Sequence, residues 1–146
     1  MSSSKGNSQE DKNKNIIRSY IDEIFNKHNL SSIERYFGGT SIQGSPQAGK
    51  GGVGSKQFIE EFFKAFPDWR ATIEHIIAEN DLVVVFLNGS GTHKGEFNGR
   101  PPTNKPVKIS SAELYKVEND RITGHWYVMD QLNLLKQTAA LLSEPV

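Results

Sequence analysis

Three side chains able to move a proton lie close together in the last third of the chain: Glu113, His125 and Tyr127. Glu113 belongs to the alternating run 106–118. One face of that run carries Val107, Ile109, Ser111, Glu113, Tyr115 and Val117; the other carries Lys108, Ser110, Ala112, Leu114, Lys116 and Glu118. The first is the apolar face and is expected to point inward. A carboxylate placed there loses hydration, so its pKa is expected to rise, making Glu113 a candidate acid or base near neutral pH. A structural Glu held by hydroxyl or amide donors accounts for the same residue. The run 121–129 offers two faces, Ile122, Gly124, Trp126, Val128 and Thr123, His125, Tyr127, Met129, and alternation alone does not choose the inner one. For His125 and Tyr127 to join Glu113, paired positions must add to an even number, which calls for a bulge, expected near Asn119–Arg121. An imidazole and a phenol beside a buried carboxylate in an apolar cavity would make a small-molecule site.

Other chemistries fit less well. Gly49 to Lys56 resembles a phosphate-binding loop, but Ser55-Lys56 reverses the Lys-Ser/Thr order such a loop needs, and no apolar strand precedes it. His28, His75, His93 and His125 lack the spacing of a metal site, so no metal is expected. The chain has no Cys, which excludes thiolate chemistry and disulfides. Lys+Arg and Asp+Glu are both 17 in 146 residues, so the basic excess of a nucleic-acid binder is missing. No segment is apolar for long enough to span a bilayer, and the N-terminus has no signal-peptide core, so the expectation is a cytoplasmic protein without a membrane partner.

These residues need elements to hold them. Residues 1–13 are polar and are expected to form a disordered tail, with one domain over 14–143. Ile16, Ile17, Tyr20, Ile21, Ile24 and Phe25 recur at helical spacing, predicting an amphipathic helix over 15–28. Ser31-Ser32 can cap a short helix carrying Ile33, Tyr36 and Phe37, ended by Gly38-Gly39. Residues 38–54 read as loop with at most a short strand near Ile42, and Ser55 as the cap of a helix bearing Phe58, Ile59, Phe62, Phe63 and Phe66 up to Pro67. Strands are predicted over 70–79, from Leu82 to Leu87, over 106–118 and over 121–129, turned at Asn80-Asp81 and Asn119-Asp120. Asp130 caps a last helix over 131–142. Helices first, then an antiparallel meander, then a helix indicate the α+β class.

The stretches Phe66-Pro67-Asp68-Trp69, Thr92 to Thr103, Glu113-Leu114-Tyr115 and His125 to Leu132 together resemble the SnoaL-like family of polyketide cyclases and predicted ester cyclases, of nuclear transport factor 2-like fold. The resemblance covers roughly residues 16–142. It implies a cone made by a strongly bent sheet with helices over its concave face, and a homodimer packed through the outer sheet face. It also implies ring closure by aldol condensation without cofactor or metal, with an aspartate after the His-Trp pair moving the proton. Here that position is Tyr127. A phenol with a pKa near ~10 is a poor base at neutral pH but can donate to a developing oxyanion. Proton abstraction then passes to Glu113 or His125. The reading is thus a cofactor-independent cyclase or isomerase acting on an enolisable apolar substrate, with Phe62, Phe66, Val85, Ser111, Tyr115 and Met129 as further pocket residues. The alternatives are a binding protein for an apolar small molecule that has lost the chemistry and, third, a dimeric interaction module with no ligand.

Overall fold

The computed structural model describes residues 8–43 and 51–138, with side chains over 8–38 and 56–138. Helix α1 spans Gln9–Tyr20. Its cap is Ser8, whose hydroxyl accepts the Asp11 N–H at 3.0 Å, and Glu10 and Asp11 complement the helix dipole in the first turn. The helix therefore begins well before residue 15, and the tail expected over 1–13 is helical from Gln9; residues 1–7 lie outside the described residues. The apolar stripe could not reveal this turn, because capping rather than burial holds it.

After Tyr20 the helix widens into a π turn over Ile21–Asn26, with Lys27 N–H donating to the Asp22 carbonyl at 2.9 Å. A 3₁₀ turn, Leu30–Ser32, leads into α2, Ile33–Tyr36. Phe37, expected on that helix, instead opens strand β1, Phe37–Gln43. Helix α3, Gly51–Ala65, starts ahead of the expected cap at Ser55, so part of the supposed glycine-rich loop is helical; 44–50 lie outside the described residues. Strands β2 (Arg70–Glu79), β3 (Leu82–Thr92), β4 (Pro106–Glu118) and β5 (Arg121–Met129) follow, then α4, Gln131–Gln137, capped by Asp130. Strand β3 runs beyond the Leu82–Leu87 core. The part of the last predicted helix past Thr138 falls outside the described residues.

The sheet order is β1-β5-β4-β3-β2. The four later strands form the expected antiparallel meander, but β1 joins β5 in parallel, so the curved sheet is mixed rather than wholly antiparallel. Asn119 and Asp120, at φ 51° and 63°, make the tight turn that pairs Glu118 with Arg121. The even-sum register holds from Ser111 to Lys116: Lys116 faces Gly124 whereas Val117 faces Ile122, leaving Thr123 as the extra residue. The bulge is thus at Thr123, just past the predicted Asn119–Arg121. A second irregularity between Ile73 and His75 makes Glu74 an extra residue on β2.

The inner face buries Val83, Val85, Tyr115, Val117 and Ile122 against Ile17, Tyr20, Ile21 and Ile24 of the first helix. A second cluster joins Phe62, Phe66 and Trp69 to Val107, Ile109 and Leu134. At ~25 cal/mol per Å² of apolar surface removed from water, these two clusters are the main force holding helices to sheet.

Candidate active site

Between the first helix, α3 and the concave face lies a cavity of about 100 Å³. Its aromatic wall comprises Phe25, Phe58, Phe62 and Trp69; its polar end comprises Ser111, Glu113, His125 and Tyr127, with Tyr20 on the helix side. Strand register builds the polar end. Glu113 pairs with Tyr127, Tyr115 with His125 and Ser111 with Met129, so the Thr123 bulge turns His125, Tyr127 and Met129 to the same side as Glu113. Without it Trp126 and Val128 would take their places.

Glu113 accepts three hydrogen bonds: from Tyr115 Oη at 2.5 Å, His125 Nε2 at 3.0 Å and Ser111 Oγ at 3.2 Å. The Glu113 and His125 side chains are 14 % and 13 % exposed. Burial pushes the Glu113 carboxyl up, but the hydrogen bond and charge of His125 and the two hydroxyl donors outweigh it, and its pKa lies below the ordinary carboxylate value. The expected rise is therefore corrected: dehydration is real, yet three donors favour the anion. Burial and the Glu113 charge hold the Tyr115 phenol far above its usual range, so it remains a donor.

The tautomer of His125 follows. An ionised carboxylate only accepts, so Nε2 carries the proton in the Glu113 contact. While the ring carries the charge that lowers the Glu113 pKa, Nδ1 is protonated as well; in the neutral form Nδ1 bears the lone pair, and among the described residues no hydrogen-bond partner meets it. The ring is fixed by stacking on Tyr115 at 4.5 Å and 5°. A base oriented by a carboxylate, next to an apolar cavity, is able to abstract a proton from carbon.

Of the expected pocket residues, Phe62, Ser111 and Met129 line the cavity. Phe66 and Val85 do not: each is fully buried, Phe66 behind Phe62 and Val85 in the sheet core. Tyr115 is not a wall residue either, but lies beneath the site and holds Glu113. Tyr20, Phe25, Phe58 and Trp69 went unassigned. Tyr20 carries one signal, a hydroxyl within a stripe of isoleucines; Trp69 belongs to a family-like stretch, but its place at the cavity follows from the bare backbone of Gly89, where a Cβ would collide with the indole. Among the described residues no cluster of His, Asp or Glu has the makings of a metal site. No helix is long and apolar enough to cross a membrane.

The family model for SnoaL-like polyketide cyclases matches residues 15–138. The chain belongs to the SnoaL-like polyketide cyclase family. Solved structures agree with this membership. AclR, a proposed hydroxylase from Streptomyces galilaeus, is 25 % identical with a TM-score of 0.84, covering 94 % of this chain and 87 % of its own. A proposed polyketide cyclase from Acidithiobacillus ferrooxidans is 28 % identical with a TM-score of 0.79, covering 91 % and 98 %. IdmH, a proposed polyketide cyclase from Streptomyces antibioticus, is 27 % identical with a TM-score of 0.76, covering 86 % and 96 %. No curated protein matches significantly. Within the SnoaL-like architecture expected from the sequence, this chain is a pocket protein of the cyclase/isomerase type.

Proposed function

We propose that this SnoaL-like protein is a cofactor-independent cyclase or isomerase in which His125 is the base and Glu113 the residue that positions it. The reading rests on one observation: the 3.0 Å contact of His125 Nε2 with a carboxylate held ionised inside an apolar cavity. His125 Nδ1 takes the proton from the carbon next to a substrate ketone. The C–H electron pair moves into the new C=C bond, the carbonyl pair moves onto oxygen, and Glu113 stabilises the imidazolium that forms. The proton returns to another carbon in an isomerisation. In a cyclisation the enolate carbon attacks a second carbonyl of the same molecule, and the proton goes to that oxygen. No redox partner is consumed.

The substrate class is an enolisable, mostly apolar ketone, since four aromatic rings face a single polar end. The test is exchange of the α-protons of 2-tetralone in D₂O, followed by ¹H NMR. Wild type should accelerate exchange, and His125→Ala should lower the rate by about 10²-fold or more. Equal rates for the two would remove His125 from the chemistry. Ligand-induced stabilisation without exchange by wild type would favour the binding-protein alternative, in which Tyr127 replaces the cyclase aspartate.

The protein is further proposed to act as a homodimer through the outer sheet face. Ile77, Val84, Leu114 and Trp126 form one row across that face, and His75, Phe86, Ala112 and Val128 the next. Val128 is 74 % and Ile77 58 % exposed, which supports a partner covering them.

A further inference from the structure

Three tyrosines surround the polar end of the cavity, and they are not equivalent. Tyr115 is committed to Glu113. Tyr127 sits directly opposite Glu113 on the neighbouring strand, and is half-buried. Tyr20 comes from the other side, from the last residue of α1, and is 1 % exposed. Among the described residues no group accepts its hydroxyl proton. Nor is that oxygen sealed in: the sealed, unpartnered side-chain atom among the described residues is His93 Nε2. Tyr20 lines the cavity. A hydroxyl this deep with no protein acceptor has given up most of its water, and a ligand oxygen in the cavity could take its hydrogen bond.

Local structure commits this position to the cavity. The turn after Tyr20 closes with i→i+5 hydrogen bonds, and such a turn brings residues five apart onto one side. Phe25 thus swings beside Tyr20, edge-on at 5.9 Å, and both line the cavity. In the same turn Asn26 Oδ1 accepts the Ala71 N–H at 2.7 Å, tying the widened helix to β2. The Tyr20 ring is braced edge-on by Tyr36, Phe37 and Tyr115 at 5.5, 5.6 and 5.9 Å. A rigid phenol lining the same apolar cavity as a carboxylate-bound imidazole is complementary to one substrate feature: an oxygen that gains negative charge as a proton leaves the adjacent carbon.

From this geometry we infer that Tyr20 is a substrate-binding and catalytic residue, donating its hydroxyl proton in a hydrogen bond to the ketone oxygen and holding it more tightly as the enolate forms. The assignment rests on the proton-transfer reading above and gives Tyr20 the role the sequence suggested for Tyr127. Burial, reinforced by the Glu113 charge, keeps the phenol protonated, so it remains a donor throughout. The substrate is thereby oriented, with its carbonyl toward α1 and its acidic carbon toward β5.

The test compares 2-tetralone with tetralin, the same skeleton without the carbonyl, by fluorescence titration. Wild type should prefer the ketone by roughly 3- to 10-fold, the usual worth of one hydrogen bond. Tyr20→Phe should erase that preference, bind tetralin unchanged, and slow α-proton exchange by about 10²-fold, as loss of an oxyanion donor does. Tyr20→Phe should also melt no lower than wild type, because the hydroxyl has no partner to lose. A ketone preference that survives in Tyr20→Phe, or disappears in Tyr127→Phe instead, overturns the assignment. So does a melting temperature several degrees lower, which would make the hydroxyl structural. The two readings fail separately. Undiminished exchange by His125→Ala would defeat the proton-transfer reading while a Tyr20-dependent ketone preference would still stand.

Discussion

Two histidines, one half-buried and one wholly buried, set a proposed catalytic role against an architectural one. His125 meets an ionised carboxylate through one nitrogen and leaves the other beside a cavity. His93 is wholly buried under the loop between β3 and β4, where its Nδ1 accepts the Thr103 N–H at 3.3 Å and lies 3.1 Å from the Thr103 hydroxyl. Its Nε2 is sealed with no partner, and its ring packs against Phe66 at 5.5 Å. Around it His93 N–H donates to the Lys105 carbonyl, Asn104 N–H to the His93 carbonyl, and Lys94 and Gly95 N–H to the Ala65 carbonyl. Burial is greater at His93, yet the base proposed above is His125. What separates them is a counter-charge on one side and open space on the other; burial alone makes a strut.

This contrast can be broken in four ways. The largest effect is expected from Glu113→Gln, which removes the charge that orients His125 and should slow tetralone exchange by roughly 10²- to 10⁴-fold with little change in tetralin affinity. A rate within a few-fold of wild type would detach Glu113 from the mechanism. His93→Ala should instead leave a cavity and cost about 2–4 kcal/mol in denaturant unfolding, while folded protein retains its exchange rate. A variant of unchanged stability would show that His93 is no strut.

Acid should discriminate the two sites next. Burial holds the His93 pKa below the ordinary imidazole value. The unfolded chain therefore binds a proton that the folded chain refuses. His93 contributes stability in full above the unfolded value of ~6.5, and loses it as pH falls from there through its lowered folded pKa. Melting curves between pH 7 and 5 should show a decline that His93→Gln flattens; parallel curves for the two proteins would reject it. The smallest effect is expected at Thr103→Val, which deletes the hydroxyl beside Nδ1 but keeps the backbone donor, at about 0.5–1.5 kcal/mol. A loss as large as that of His93→Ala would shift the strut from the ring to the hydroxyl.

Strands β2, β4 and β5 stand where the alternating pattern put them, because residues buried on one side leave a period of two. The inner face of β4 is likewise as read, with Val107, Ile109, Tyr115 and Val117 buried. Less legible was whatever depends on a partner distant in sequence. Strand β1 pairs with β5 across some eighty residues, Phe37 opposite Ile122, and its glycines disguise it as loop. The first turn of α1 is held by a cap that precedes any apolar residue. Glu113, His125 and Tyr127 line one cavity, an arrangement the faces allowed but alternation alone did not choose. The protonation of Glu113 could not be read, because it turns on three donors whose convergence is a fact of register. Phe66 and Val85 illustrate the complementary error: apolar spacing marks what is inside, not which inside surfaces remain uncovered.

A single unpaired residue decides which half of β5 is interior. With Thr123 in place, the imidazole and phenol look in while the indole and the Val128 isopropyl look out. Remove that one residue and the strand would present its apolar side to the helices and its imidazole and phenol to solvent. The two faces, a pocket lining and an exposed apolar exterior, are thus written on the same nine residues and separated by one codon. For anyone redesigning this scaffold, an insertion or deletion at that point is a switch of identity rather than a perturbation.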